Sequence, residues 1–367
     1  MAEFFYEYGL FFLKALTFVI AVVAIIMAIV AAAMRSREMD GAGGEGHIEI
    51  KKYNERLEDM HDALSFSLME PFERKLAEKE KKAEEKAEKK AAKKAAKKAR
   101  KQRGEGETIL VEKSRSRLYV LDFDGDIRAS EVEKLRREIT AVLTTATADD
   151  EVLVRLESGG GMVTSYGLAA SQLDRIRDRK VPLTVCVDKV AASGGYMMAC
   201  VADKLVAAPF AVLGSIGVVA QIPNFHRLLK EHNIDFEMLT AGKYKRTLTL
   251  FGENTDEGRQ KFIEDIERIH GQFKDYVSQR RPGLDIEQVA TGEIWSGQDT
   301  LDLHLADKLS TSDQYLIDAC EERDVLMVSF KARKNLMERL NMGVQNTVDG
   351  VLLKWFDRLM KSRFSIG

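Results

Sequence analysis

The 367-residue chain has only three cysteines, Cys186, Cys200 and Cys320, an odd number in apolar surroundings without metal-ligand spacing. They read as core thiols and leave the redox compartment open. Net charge is −2, so overall electrostatics point to neither nucleic acid nor acidic partners. The six histidines fall in linkers or polar helical contexts, none beside the glycine-rich loops described below. The loop at 159–161 lacks the lysine and Ser/Thr of a P-loop, so it does not read as a nucleotide site. No motif recurs along the chain, and nothing calls for a metal or cofactor.

Charge is also missing from Ala15 to Met34, an apolar run of about 20 residues, enough to cross a hydrocarbon core of roughly 30 Å as a helix. Lys14 precedes it, and Phe4, Phe5, Tyr6 and Tyr8 resemble an interfacial aromatic belt. With no basic n-region and so long a run, a membrane anchor over 1–34 is expected in place of a cleaved signal peptide. Arg35 and Arg37 follow the run and Glu3 and Glu7 precede it, a charge count that favours a cytoplasmic C-terminal part.

Residues 35–104 read as a linker. Gly41-Ala42-Gly43-Gly44 suits a flexible tether, and from Glu73 to Arg103 the chain is almost entirely Ala, Lys, Glu and Arg. Glu78–Lys82 and Glu85–Lys89 at i,i+4 predict a solvated helix, without the apolar stripe of a coiled coil. Its purely basic end is read as a spacer, with anionic lipid or RNA as alternative contacts.

Beyond Gly104 the pattern becomes strand, helix, strand, helix. Strands are expected at Leu118–Phe123, Val152–Leu156, Leu183–Val187, Lys204–Ala208 and Asp235–Leu239. Helices are expected at Ser130–Thr145, Ser165–Ile176 and Glu253–Gln279, with a short one behind Ser193. This predicts an α/β domain over 105–320 with a mainly parallel sheet, then a C-terminal strand and helical tail over 321–367. Asp203, Lys204, Pro209 and Gly214 interrupt the apolar stretch 197–219, which reads as buried core.

Four sites carry candidate chemistry. Ala191-Ala192-Ser193-Gly194-Gly195 places a hydroxyl among small residues at a strand-to-helix corner, where a helix start at Gly194 offers free N–H groups. That suits a serine nucleophile beside an oxyanion hole, and equally an ordinary tight turn. Ser158-Gly159-Gly160-Gly161 follows a strand and frees backbone N–H groups. Gly214-Ser215-Ile216-Gly217 sets a second hydroxyl between glycines. Gly242-Lys243-Tyr244-Lys245-Arg246 is a basic loop. A serine nucleophile needs a base, and lysine is a better candidate than the distant histidines. It serves only when desolvated and held by a neutral partner, a role open to Ser215. On spacing alone, Lys243 and Lys245 read first as surface charges on a loop.

In this order the four motifs resemble those of the signal peptide peptidase A family of membrane serine peptidases. The whole chain, with anchor and charged linker, is most similar to its bacterial SohB branch, the motifs spanning about Leu118 to Leu309. The resemblance implies a ClpP/crotonase-like fold and a Ser–Lys dyad. Ser193 would be the nucleophile and Lys245 the general base, with Lys243 as fallback. Ser215 would orient the lysine. Gly194 with Gly160 or Gly161 would form the oxyanion hole. Gly159 stands where proline is usual, and His304 where glycine is usual.

The resemblance further implies an inner-membrane endopeptidase acting on signal-peptide-like or membrane-derived peptides. It favours a periplasmic catalytic domain, against the charge count, and a homo-oligomer in which Ser and Lys meet across a subunit boundary. A catalytically silent membrane scaffold with the same fold is the alternative.

Overall fold

The computed structural model describes residues 46–76 and 115–332, Thr17, and scattered positions between Lys79 and Lys94. Apart from Thr17, the expected anchor over 15–34 lies outside these residues, as does the tail after Ala332. No helix among the described residues is long and apolar enough to cross a membrane. The chain divides into two compact units. In the first, 1–47 with 331–367, only Thr17, Gly46, His47, Lys331 and Ala332 are described. The second, 48–330, holds the sheet core and the candidate site.

Strand β1 (Gly46–Lys52) runs directly into α1 (Tyr53–Leu68), both within the stretch read above as a linker. Asn54 fastens α1 down: its Nδ2 donates to Cys320 O at 3.2 Å and Arg323 O at 2.9 Å, and its Oδ1 accepts from Val325 N at 2.8 Å. The described positions from 79 to 94 are helical.

The chain then alternates as expected through β2 (Arg117–Gly125), α2 (Val132–Leu143), β3 (Glu151–Ser158), α3 (Val163–Asp178) and β4 (Leu183–Val187). Next come β5 (Val190–Ala192), α4 (Gly194–Ala199), β6 (Lys204–Ala207), β7 (Val212–Gly214), α5 (His226–Glu231) and the long α6 (Asp256–Arg280). The C-terminal part holds α7 (Ile286–Val289), β8 (Ile294–Ser296), α8 (Gln298–Asp302), β9 (Lys308–Leu309), α9 (Ser312–Glu322) and β10 (Asp324–Ala332).

The main sheet runs β1-β10-β2-β3-β4-β6-β9, with β10, β2, β3, β4, β6 and β9 pairing in parallel. Side chains alternate across β2, so both faces of the sheet are apolar, as a covered parallel sheet requires. Tyr119, Leu121 and Phe123 join the larger core with Leu135 and Ile139 of α2 and Leu173 and Ile176 of α3. Leu118 and Val120 pack on the other face with Leu153, Cys186 and Leu316 of α9. Leu135 is buried, and truncating such a leucine to alanine costs about 2–5 kcal/mol. Burial pushes the Cys186 and Cys200 thiols up to about 12, in keeping with core thiols.

What positions the site is a fork at the end of β3. Val152 to Arg155 pair with β4, but the last residue, Ser158, pairs with Ala191 of β5. From there β5 pairs in parallel with β7, and β7 antiparallel with β8. Crevices where a parallel sheet divides are favoured ligand sites, because loops from both branches face one another. The loops after β3, β5 and β7 carry three of the four candidate motifs.

One expected element is absent. Asp235–Leu239 is not a strand but part of an exposed arm, 219–252, in which no residue is buried and Leu239 is 94% exposed. Its apolar residues suit a strand, but no sheet edge lies beside them to supply the ladder of hydrogen bonds. The turn at His304 takes φ +56°, a left-handed value that explains why glycine suits that position. Its carbonyl accepts from Arg281, whose guanidinium also grips both Asp307 oxygens at 2.9 and 2.7 Å.

Candidate active site

Strand β5 delivers Ser193 to the fork. Its N–H donates to Gly214 O at 2.8 Å, and its carbonyl accepts from Met197 N at 2.9 Å as α4 begins. Held from both sides, Ser193 takes φ +53° and ψ −118°, a conformation that costs a non-glycine residue about 1–3 kcal/mol. Its hydroxyl makes no hydrogen bond among the described residues. The Gly194 N–H opens α4 and has no intrahelical partner, so it is free to face an anionic oxygen.

The glycine loop sits directly against this corner. Gly160 has φ +86°, and a Cβ there would lie 2.7 Å from Ala192 O, 2.7 Å from Gly194 N and 2.8 Å from Ser193 Cβ. Only glycine fits. Its N–H is committed, donating to Ser158 Oγ at 3.1 Å, whereas the Gly161 N–H, like that of Gly159, makes no hydrogen bond among the described residues. Met162 N anchors the far end by donating to Ile127 O at 2.8 Å. Of the three glycines expected to line an oxyanion hole, Gly194 and Gly161 thus carry open N–H groups, and Gly160 provides the close approach.

A cavity of about 330 Å³ opens beside Ser193, walled by Val163, Met197, Val218, Ile269 and Phe273. Apolar walls around one polar edge suit an extended peptide carrying apolar side chains. Ser215 follows Gly214, the β7 residue paired with Ala192, so the two serines leave adjacent strand ends. It has φ +51°, and its N–H donates to Glu293 O at 2.6 Å.

The basic loop stands apart. Lys245 is exposed, and neither it nor Lys243 hydrogen-bonds Ser193 or Ser215. Lys243 Nζ pairs with Glu257 at 2.9 Å. The hydrogen bond to Glu257 pushes its pKa up and holds it charged, the opposite of what a base requires. Lys245 has no such partner among the described residues, where only its backbone is held, N to Gly242 O at 3.1 Å. Among the described residues of one chain, Ser193, Ser215 and the glycines come together, and no lysine hydrogen-bonds to them.

Sequence reasoning missed the support beneath the glycine loop. Ser158 Oγ lies 2.5 Å from the hydroxyl of buried Tyr166, which donates to Asp126 O at 2.7 Å. The only available signal was a serine directly before three glycines.

The fork, the strained serine and the two open N–H groups meet at one corner of the sheet, and comparison with known proteins gives the family. Residues 3–173 match "Peptidase family S49 N-terminal", and residues 175–326 match "Peptidase family S49". The chain belongs to peptidase family S49. It falls in the SohB branch of that family. It is 47% identical to the "Probable protease SohB" of Haemophilus influenzae over 352 residues, 95% of each chain. It is 52% identical to that of Buchnera aphidicola from Acyrthosiphon pisum over 248 residues, 68% of this chain and 74% of the relative. A third, from the Buchnera of Schlechtendalia chinensis, is 45% identical over 315 residues, 86% of this chain and 99% of the relative. The S49 member is therefore a peptidase with a mixed α/β, mostly parallel sheet.

Proposed function

We propose that this S49 peptidase is a membrane-anchored serine endopeptidase with a Ser–Lys dyad. The observation that carries the reading is Ser193 held at φ +53° with its hydroxyl unpaired beside the open Gly194 N–H. Lys245 is the base, since Lys243 is engaged by Glu257. Neutral Lys245 takes the Ser193 proton as Oγ bonds to a peptide carbonyl carbon. The Gly194 and Gly161 N–H groups stabilise the oxyanion that forms. Collapse breaks the C–N bond, and lysinium gives its proton to the leaving amine. Water, deprotonated by the same lysine, then hydrolyses the acyl ester and frees Ser193. Ser215 orients the amine.

The catalytic fold is ClpP/crotonase-like. The exposed arm supports a homo-oligomer in which the Lys245 of one copy reaches the Ser193 of the next. The apolar run over 15–34 supports an anchored inner-membrane enzyme, and the family resemblance, against the flanking charge count, supports a periplasmic catalytic domain. The apolar cavity supports signal-peptide-like or membrane-derived substrates.

The test is labelling of the full-length oligomer with a fluorophosphonate. Ser193 should be modified, and Ser193→Ala and Lys245→Ala should each abolish peptide hydrolysis. Mixed oligomers of the two variants should regain part of the activity. Retained hydrolysis in Lys245→Ala would move the base elsewhere. No labelling and no hydrolysis by the intact oligomer would favour the silent scaffold.

A further inference from the structure

The oxyanion hole has two halves on different elements: Gly194 at the start of α4 and the glycine loop after β3. One buried side chain, Tyr166 of α3, touches both. A Cβ on Gly194 would lie 2.5 to 2.8 Å from Tyr166 atoms, so the peptide that presents the Gly194 N–H rests on that ring. At its other end the phenol reaches the loop through Ser158.

The hydroxyls there form a one-way relay. Each carries a single hydrogen, and each can donate once while still accepting. Tyr166 donates to Asp126 O at 2.7 Å, so across the 2.5 Å contact Ser158 Oγ is the donor, with Gly125 O a longer second acceptor for it at 3.3 Å. Ser158 then accepts the Gly160 N–H at 3.1 Å. Chains of this kind polarise and stiffen one another in a dry environment. Both Tyr166 and Ser158 are buried, and a Cβ on Gly125 would lie 2.5 and 2.6 Å from their two oxygens. Burial also pushes the Tyr166 phenol above its ordinary value, so it stays a hydroxyl.

We propose that Tyr166, acting through Ser158, is the positioning residue that sets the spacing between the two halves of the oxyanion hole. This rests on the reading of Ser193 as the nucleophile. Tyr166 touches neither substrate nor reacting atoms. Its hydroxyl fixes the peptide plane of Gly160, hence the aim of the Gly161 N–H, and its ring fixes Gly194. A hydrogen-bond donor misplaced by a fraction of an ångström stabilises a developing oxyanion poorly while leaving ground-state binding intact.

Tyr166→Phe in the full-length oligomer removes the hydroxyl and keeps the ring. We expect kcat for a peptide substrate to fall about 10- to 100-fold, below the loss from deleting a donor outright, with KM within about twofold. Inhibition by a peptide aldehyde, whose hemiacetal oxygen occupies the hole, should weaken by the same factor. Amide hydrogen exchange should quicken in peptides covering 158–162 and 193–197. Ser158→Ala should reproduce these effects, and the double variant should not multiply them.

Parental exchange in both segments of Tyr166→Phe would overturn the assignment, whatever the activity. So would a rise in KM at constant kcat. A parent enzyme that fluorophosphonate does not label would instead overturn the reading of Ser193 as the nucleophile, and the exchange comparison would still decide the Tyr166 link.

Discussion

Ser193 sits where its backbone is bonded on both sides and its neighbours are buried, whereas Lys245 sits in an arm with no buried residue at all. The arm is nonetheless ordered by its own contacts. Asn224 Nδ2 donates to Thr249 O at 2.9 Å and Gly252 O at 3.0 Å, closing the ends on each other. Phe251 packs between Phe225 and Phe236, with ring centroids at 6.1 and 5.8 Å. The serine half of the proposed dyad is thus formed inside one chain, and the lysine half is presented outward. On the proposed dyad, folding and catalytic assembly are separable: one copy would build the nucleophile corner and take its base from another.

The sharpest way to separate the two regions is to add one methyl group to each. Gly160→Ala places a Cβ under 3 Å from three atoms of the nucleophile corner at φ +86°. Gly242→Ala in the arm meets only Lys245 Cβ at 3.9 Å, with φ +102° as its one handicap. We expect Gly160→Ala to lower kcat by about 10²- to 10³-fold, as loss of an oxyanion donor does. Gly242→Ala should cost about 1–2 kcal/mol of local backbone strain and only a few-fold in activity. Comparable losses in both, measured as kcat alongside thermal unfolding, would remove the distinction.

A second cut goes through the arm's own small core. Phe251→Ala removes both aromatic contacts, each worth about 0.5–1.5 kcal/mol beyond area burial. Cleavage by trypsin within 219–252 should accelerate, and peptide hydrolysis should fall about tenfold because Lys245 is no longer held. The unfolding midpoint of the 48–330 unit should stay at the parental value. If it falls with the arm, the two regions fold as one cooperative unit and the contrast is wrong.

The same contrast governs what could be read from the sequence. Strands β2, β3 and β4 and helices α2, α3 and α6 were legible because each buries a face or a run whose period shows in the residues. The Ser193 corner was legible because close approach demands small side chains in a row. The three-residue strands β5, β7 and β8 were not, since so few residues carry no periodic signal. Nor were β1 and α1 seen in the charged linker, where attachment rests on β1 pairing with β10, the Asn54 hydrogen bonds and two half-buried side chains, Ile48 and Tyr53. Asp235–Leu239 misled because its apolar residues lie exposed in the arm, unpaired with any strand among the described residues. Tyr166 reads as one more core aromatic until the position of its hydroxyl is known.

Acidity provides a third test, in the body this time. Glu138 of α2 is fully buried, accepts from Phe330 N through Oε1 at 2.7 Å, and leaves Oε2 without a partner among the described residues. Desolvation pushes its carboxyl up to about 7, with Lys134 opposing and Glu131 and Asp122 adding to the rise. The folded state therefore holds a proton that the unfolded chain has lost between about pH 4.5 and 7, so stability falls as pH rises through that window. Glu138→Gln should remove the fall and gain about 1–3 kcal/mol at pH 8, with little difference below pH 4.5. Urea denaturation at the two pH values checks this, and a parental pH slope in the variant refutes it.

The smallest effect sharpens the choice between the two lysines. The Lys243–Glu257 pair is exposed on both sides at 2.9 Å, and such pairs contribute about 0–1 kcal/mol. Lys243→Ala should leave the fold and the oligomer intact and keep kcat/KM within about twofold. Its neighbour two residues on carries the opposite expectation, since an uncharged amine is needed only where no carboxylate holds the proton in place. Kinetics of Lys243→Ala beside Lys245→Ala therefore read the register of the loop directly. Loss in the first with retention in the second would place the base on the lysine that Glu257 now occupies, and would require that ion pair to break on assembly.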